Sequence, residues 1–76
     1  MEDLVNSPSH YASGTVECID AIEESMTNEA FCGYLKGNIQ KYLWRYEDKN
    51  NSIQDLRKAE WYLKRLIVTN ERYGLW

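Results

Sequence analysis

Gly33-Tyr-Leu-Lys-Gly-Asn-Ile-Gln-Lys-Tyr-Leu-Trp-Arg-Tyr46 is the densest run of aromatic and cationic residues in the chain, and it decides the fold. Set on a period of 3.6 residues, Phe31, Leu35, Ile39, Tyr42, Leu43 and Tyr46 fall on one broad apolar face. The stretch therefore predicts the middle of a long helix. Asn38, Lys41 and Arg45 stand at i, i+3 and i+7, a polar stripe along the flank of that face. A solvated flank is the plainer reading of such a stripe, and an anion site at the edge of a packed bundle is the sharper one.

Working outward, a short break at Thr27-Asn28 separates this helix from an earlier one. The earlier helix is predicted from Val16 to about Met26, with Thr15 as its N-cap and Val16, Ile19, Ile22 and Met26 as its buried row. Glu17, Asp20 and Glu24 form a carboxylate stripe on another of its faces. Such a stripe is either solvated, able to hold a divalent ion, or able to pair with Lys41 and Arg45. Downstream, Asp48-Lys-Asn-Asn-Ser52 reads as a polar turn. Ser52 is expected to N-cap a third helix with Asp55 as a shortened capping box, and Gly74 to stop it after Arg72. Ile53, Leu56, Ala59, Leu63, Leu66 and Ile67 are its expected core face, flanked by Trp61 and Tyr62. Gly33 and Gly37 each cost roughly 1 kcal/mol inside a helix, which predicts a close approach that offsets them.

No strand-like alternation and no internal repeat is visible, so the expected fold is all-α: a small three-helix bundle behind an extended N-terminal arm. Residues 1–14 are read as arm and loop and 15–76 as helical core of a single domain. The arm holds the only proline and the only histidine, in Pro8-Ser-His-Tyr11. Docked over the bundle, His10 and Tyr11 would close a pocket, while Trp61 or Tyr11 would stack on a base.

Seventy-six residues bury a thin core, and such chains often lean on a second subunit, so a homo-oligomer is expected. Residues 1–35 carry seven carboxylates and no Lys or Arg. Residues 36–76 carry nine cations against five carboxylates, a charge of +4 against the −7 of the first part. The two parts suit attraction within or between chains. The net charge of −3 and the lack of a continuous basic patch argue against nucleic acid as a partner, and no run is apolar enough to span a membrane. Cys18 and Cys32 lack metal-site or CxxC spacing and are expected as buried free thiols, with a disulfide between them left open. GxxxxGK[ST], GxGxxG, HExxH and GxSxG are all absent. A single His is a poor basis for a structural metal site. What the residues support is a small anionic ligand with an aromatic part: Lys41 and Arg45 on a phosphate, Asn38 on a polar edge.

Taken in order, Pro8-Ser-His-Tyr11, Gly14, Glu17-Cys-Ile-Asp20, Gly37-Asn-Ile-Gln-Lys-Tyr42 with Arg45, Asp55-Leu-Arg-Lys-Ala59 and Trp61-Tyr-Leu63 resemble a family of small bacteriophage proteins. That family was long known only as a domain of unknown function, and it includes a phage nucleotide kinase. Ser13-Gly14 stands where the family usually has paired glycines. The resemblance implies a phage-encoded protein of the host cytoplasm that transfers phosphate to deoxynucleoside monophosphates without a P-loop. By position it implies Lys41, Arg45 and Asp20 as catalytic residues. It also implies His10, Tyr11, Glu17 and Asn38 as ligand-binding ones, with Lys58 and Asp55 as weaker candidates. Magnesium is compatible with such chemistry but no motif requires it. A kinase must hold donor and acceptor in line, and a chain this short encloses both only between subunits. Two other functions fit the same residues: a nucleotide sponge without turnover, or a helical module that binds a host protein and antagonises host defence.

Overall fold

The computed structural model describes residues 17–48 and 50–75. The expected arm, the Thr15 cap, Val16, and His10 and Tyr11 lie outside the described residues, as does Trp76. Among the described residues all regular structure is helical: α1 (Cys18–Glu24), α2 (Asn28–Arg45) and α3 (Ser52–Tyr73). The chain is all-α, as its periodicity predicts.

Local chemistry sets each boundary. Thr27 takes the N-cap of α2, its hydroxyl accepting from the Ala30 N–H at 3.1 Å, and Glu29 places negative charge in the first turn. Gly74, at φ +60°, takes the left-handed position that ends α3, its N–H bonded to the Asn70 carbonyl at 2.8 Å. α1 is shorter than expected. It stops at Glu24, where the Ser25 hydroxyl turns back to the Ile22 carbonyl at 2.7 Å. Met26 is correspondingly exposed rather than part of a buried row.

α2 and α3 form an antiparallel hairpin. Arg45 meets Asp55 next to the connecting turn, and Asn70 reaches Cys32 at the far end. Phe31, Leu35 and Ile19 are the buried centre, with Ile22, Tyr34, Trp61, Tyr62 and Leu66 packed around it. α1 adds Ile19 across the open end of the hairpin.

The phase of α3 differs from the expected one. Asp55, Ala59, Tyr62, Leu66 and Thr69 face inward, whereas Ile53, Leu56, Leu63 and Ile67 are exposed. At 100° per residue the two rows lie about 120° apart, so α3 has two faces able to pack and only one used. Two contacts select the inner row. Tyr62 stacks on Tyr42 at 5.9 Å and meets Tyr34 edge-on at 6.3 Å, and Asp55 turns in towards Arg45. The predicted capping box is absent for the same reason. Ser52 lies within α3 with its hydroxyl on the Asp48 carbonyl at 3.3 Å, Asn51 takes the cap position without a side-chain bond, and Asp55 is 4% exposed. A buried carboxylate beside a guanidinium outweighs a bond to solvated backbone. Leu43, also expected in the core, is exposed. Cys18 is an exposed thiol rather than a buried one, while Cys32 is buried, and both are free.

A Cβ at Gly33 or Gly37 would meet nothing within 4 Å. The described chain therefore makes no close approach that offsets these residues. Gly33→Ala and Gly37→Ala are each expected to stabilise the isolated chain by about 0.5–1 kcal/mol. A rise in melting temperature for each variant is the check, and a fall would show that something outside the described residues fills that space.

Burial and its phenolic neighbours Tyr34 and Tyr42 push the Tyr62 hydroxyl well above its ordinary pKa of 10.0. The folded state holds that proton more tightly than the unfolded chain does. Its contribution to stability is thus complete below pH 10 and is lost as pH rises beyond it. Melting temperature is expected to decline from pH 10 upward, and to decline less steeply in Tyr62→Phe.

Candidate functional site

Three sequence-predicted cations converge around one ring. Tyr42 sits on α2 one turn after Asn38, and its ring is pinned from below by the stack on Tyr62. Lys41 Nζ lies 4.7 Å from the ring centroid, Lys58 Nζ 5.3 Å and Arg45 Cζ 5.5 Å. Helical spacing explains how they meet. Lys41 and Arg45 are four apart and flank Tyr42 on α2, while the antiparallel hairpin brings Lys58 of α3 to the same level. Three cations share a space in which, among the described residues, Asp55 is the one ion-paired carboxylate, its Oδ2 4.0 Å from Arg45 Nε. The cluster carries a formal +2. The aromatic face offsets part of the repulsion, at about 0.5–1 kcal/mol for an exposed cation. The Arg45 side chain is 49% exposed, so its guanidinium keeps donors available to solvent or to a ligand. Asn38 is half-buried, and its Nδ2 is already used on the Tyr34 carbonyl at 2.9 Å. That leaves the amide oxygen and the second N–H as the groups it can direct at a ligand.

Trp61 packs on the core and meets Tyr62 edge-on at 5.0 Å, with an interplanar angle of 89°.

The acidic helix makes a second cluster rather than pairing with Lys41 and Arg45. Arg65 Nη2 donates to Asp20 Oδ1 at 2.6 Å and to Glu23 Oε1 at 2.7 Å, while its guanidinium covers the Phe31 ring at 5.7 Å. Burial alone would lower the Arg65 pKa, but the two carboxylates outweigh it and raise it. Glu23 Oε2 is buried without a hydrogen bond, and Arg72 Nη1 stands 3.9 Å from it. The inward carboxylates of α1 are therefore Asp20 and Glu23, where the sequence stripe names Glu17, Asp20 and Glu24. Among the described residues no group of three or more His, Cys, Asp or Glu is placed to hold a metal ion. Glu17 takes the N-cap position of α1, its carbonyl accepting from Asp20 and Ala21. Arg65 is seven residues beyond Lys58, about 10 Å along the helix axis, and Asp20 is engaged by Arg65 rather than by the cations around Tyr42.

Sequence reasoning misses Arg65, Glu23 and the central place of Tyr42. The signal for Arg65 is present: it stands at i+7 from Lys58 on the inner side of α3, a cation where an apolar residue belongs. Tyr42 is hidden by its apolar appearance, since an aromatic at a core position reads as packing.

Among the described residues no helix is long and apolar enough to cross a membrane. Comparison with known proteins gives relatives from two phages. Over 62 residues, 76% of this chain, it is 45% identical to the gene 1.7 protein of Enterobacteria phage T3, of which the match covers 38%. Over the same length it is 44% identical to the nucleotide kinase gp1.7 of Escherichia phage T7, covering 32% of that protein. The chain thus spans about a third of the length of these relatives. No solved structure matches it. The model of DUF3310, a family described as being of unknown function, matches residues 5–64. The chain belongs to the DUF3310 family.

Proposed function

We propose that this chain binds a nucleoside monophosphate, its phosphate held by Lys41, Arg45 and Lys58 around Tyr42. The observation that carries this reading is the +2 cluster, in which Asp55 is the ion-paired carboxylate beside three cations on one ring. A phosphate monoester carries about −1.5 to −2 at pH 7, which matches that charge. Arg45 offers a planar fork of donors, Lys41 and Lys58 offer point charges, and Asn38 supplies an acceptor for a sugar or base edge. Trp61, His10 and Tyr11 are the candidates to cover the base, and Glu17 to orient the sugar.

The name of the T7 relative supports the further reading that the ligand is a phosphoryl acceptor. In that reaction an oxygen of the acceptor's phosphate attacks the γ-phosphorus of a nucleoside triphosphate. The bond from that phosphorus to the β–γ bridging oxygen breaks, and a nucleoside diphosphate leaves. Lys41 and Arg45 would neutralise charge on the transferred group. Asp20, held by Arg65 away from the cluster, would take part only from a neighbouring subunit. A nucleotide sponge without turnover is the second reading, favoured by the ion pair that engages Asp20 with Arg65. Either role belongs in the cytoplasm of an infected cell.

Incubation with ATP and each deoxynucleoside monophosphate separates the two. Diphosphate formation supports the kinase. A nucleotide-dependent rise in melting temperature without diphosphate supports the sponge, and neither result would leave the cluster without a nucleotide function.

A further inference from the structure

α3 carries a second apolar row that the described chain never covers. Ile53, Leu56, Leu63 and Ile67 are 65%, 36%, 45% and 50% exposed. With Glu60 in the gap, the row advances by alternating steps of three and four residues, the seam of a helix that packs lengthwise on another helix. Ile53, Leu56, Arg57 and Glu60 enclose an open groove of ≈ 360 Å³. Their spacing is i, i+3, i+4, i+7, the four corners of a hole that receives one side chain from a facing helix. Glu60, Leu63, Lys64 and Ile67 repeat the same four corners seven residues later.

We propose that this row is the docking surface for a second copy of the chain, α3 against α3 in antiparallel orientation. Self-complementarity of size and charge identifies the occupant. The row holds both the holes and the leucine and isoleucine knobs that fit them. An antiparallel pair sets Leu56 opposite the partner's Ile67 and Glu60 opposite the partner's Leu63, with the partner's Lys64 one residue further on. The carboxylate and the ammonium then meet twice by two-fold symmetry. A parallel pair in register would instead face Glu60 with the partner's Glu60. Within one chain Lys64 Nζ is 3.9 Å from Glu60 Oε2 with both side chains more than half exposed, a weak pairing that is readily exchanged. Lys58 lies on the opposite flank of α3, so the second copy leaves the Tyr42 cluster open. The inference goes beyond the nucleotide reading and does not depend on it.

The test is the mass in solution without nucleotide, for the wild type and four variants. The wild type is expected at twice the 9.0 kDa of one chain, or a multiple of that. Leu63→Lys and Ile67→Glu are expected at a single chain mass with helical circular dichroism intact, since both residues lie outside the core. Glu60→Lys is expected to weaken association by at least about tenfold, and Glu60→Lys combined with Lys64→Glu to restore it. A wild type that stays at one chain mass at high concentration overturns the proposal, including the case where a foreign protein covers the row. So does an oligomer whose mass the outward substitutions leave unchanged, and so does failure of the charge swap to restore association.

Discussion

Arg65→Ala is expected to lower the melting temperature by roughly 12–24 °C, taking 4–8 °C per kcal/mol for a domain of this size. The wild-type guanidinium serves two carboxylates through one nitrogen, Nη2, at 2.6 and 2.7 Å. The Glu23 side chain is only 13% exposed. Removing its partner leaves a largely buried charge facing Arg72 at 3.9 Å, and breaking such a pair costs about 3 kcal/mol or more. The loss also uncovers Phe31, over which Arg65 lies. α1 is seven residues long, too short to persist without tertiary contacts, and these ion pairs join Ile19 and Ile22 in holding it to the hairpin. Amide exchange in α1 should therefore accelerate before exchange in α2 or α3. Arg65→Lys keeps the charge but loses the fork and should recover about half of the stability. A melting temperature for Arg65→Ala within about 2 °C of the wild type would show that the pairs do not hold α1.

Replacing Lys41 and Lys58 together by alanine is expected to weaken nucleoside monophosphate binding by about 100-fold or more. Each charge-assisted bond to phosphate contributes about 1.5–3 kcal/mol. The double change takes the cluster from +2 to neutral, since Arg45 and Asp55 then balance. Both lysines lie over the Tyr42 ring and, among the described residues, neither forms an ion pair, so the melting temperature without nucleotide should hardly move. Arg45→Ala is a less direct test because it strands the buried Asp55, and Arg45→Ala with Asp55→Asn removes that complication. Affinity of the wild type should fall as salt is added, whereas the residual affinity of the double variant should respond less. Unchanged binding in Lys41→Ala with Lys58→Ala would remove the phosphate from this site.

Much of the fold is legible in the residues. Thr27 before a long periodic run and Gly74 after another mark helix ends by their own chemistry, and the polar turn before Ser52 makes the hairpin. The rotation of α3 is not legible in the same way. Two apolar rows compete on that helix, and the winner is set by contacts across the hairpin: Tyr62 on Tyr42 and Tyr34, and Asp55 beside Arg45. Asp55 misleads for the same reason, since a carboxylate in the first turn of a helix reads as a cap until its distant partner is known. At the candidate site, Lys41 and Arg45 emerge from spacing on one helix. Lys58 joins them only because the helices run antiparallel, and it enters the sequence reading through the family resemblance. Asp20 is assigned to the same site by that resemblance, yet within one chain Arg65 holds it at the other cluster.

The most direct measurement is equilibrium dialysis of a deoxynucleoside monophosphate against the wild-type chain, with the matching unphosphorylated nucleoside run in parallel. A cluster built for phosphate predicts saturable binding of the nucleotide and binding of the nucleoside weaker by about 100-fold, the contribution of two charged contacts. Equal binding of the two, or no binding of the nucleotide at millimolar concentration, would contradict a phosphate site at Tyr42.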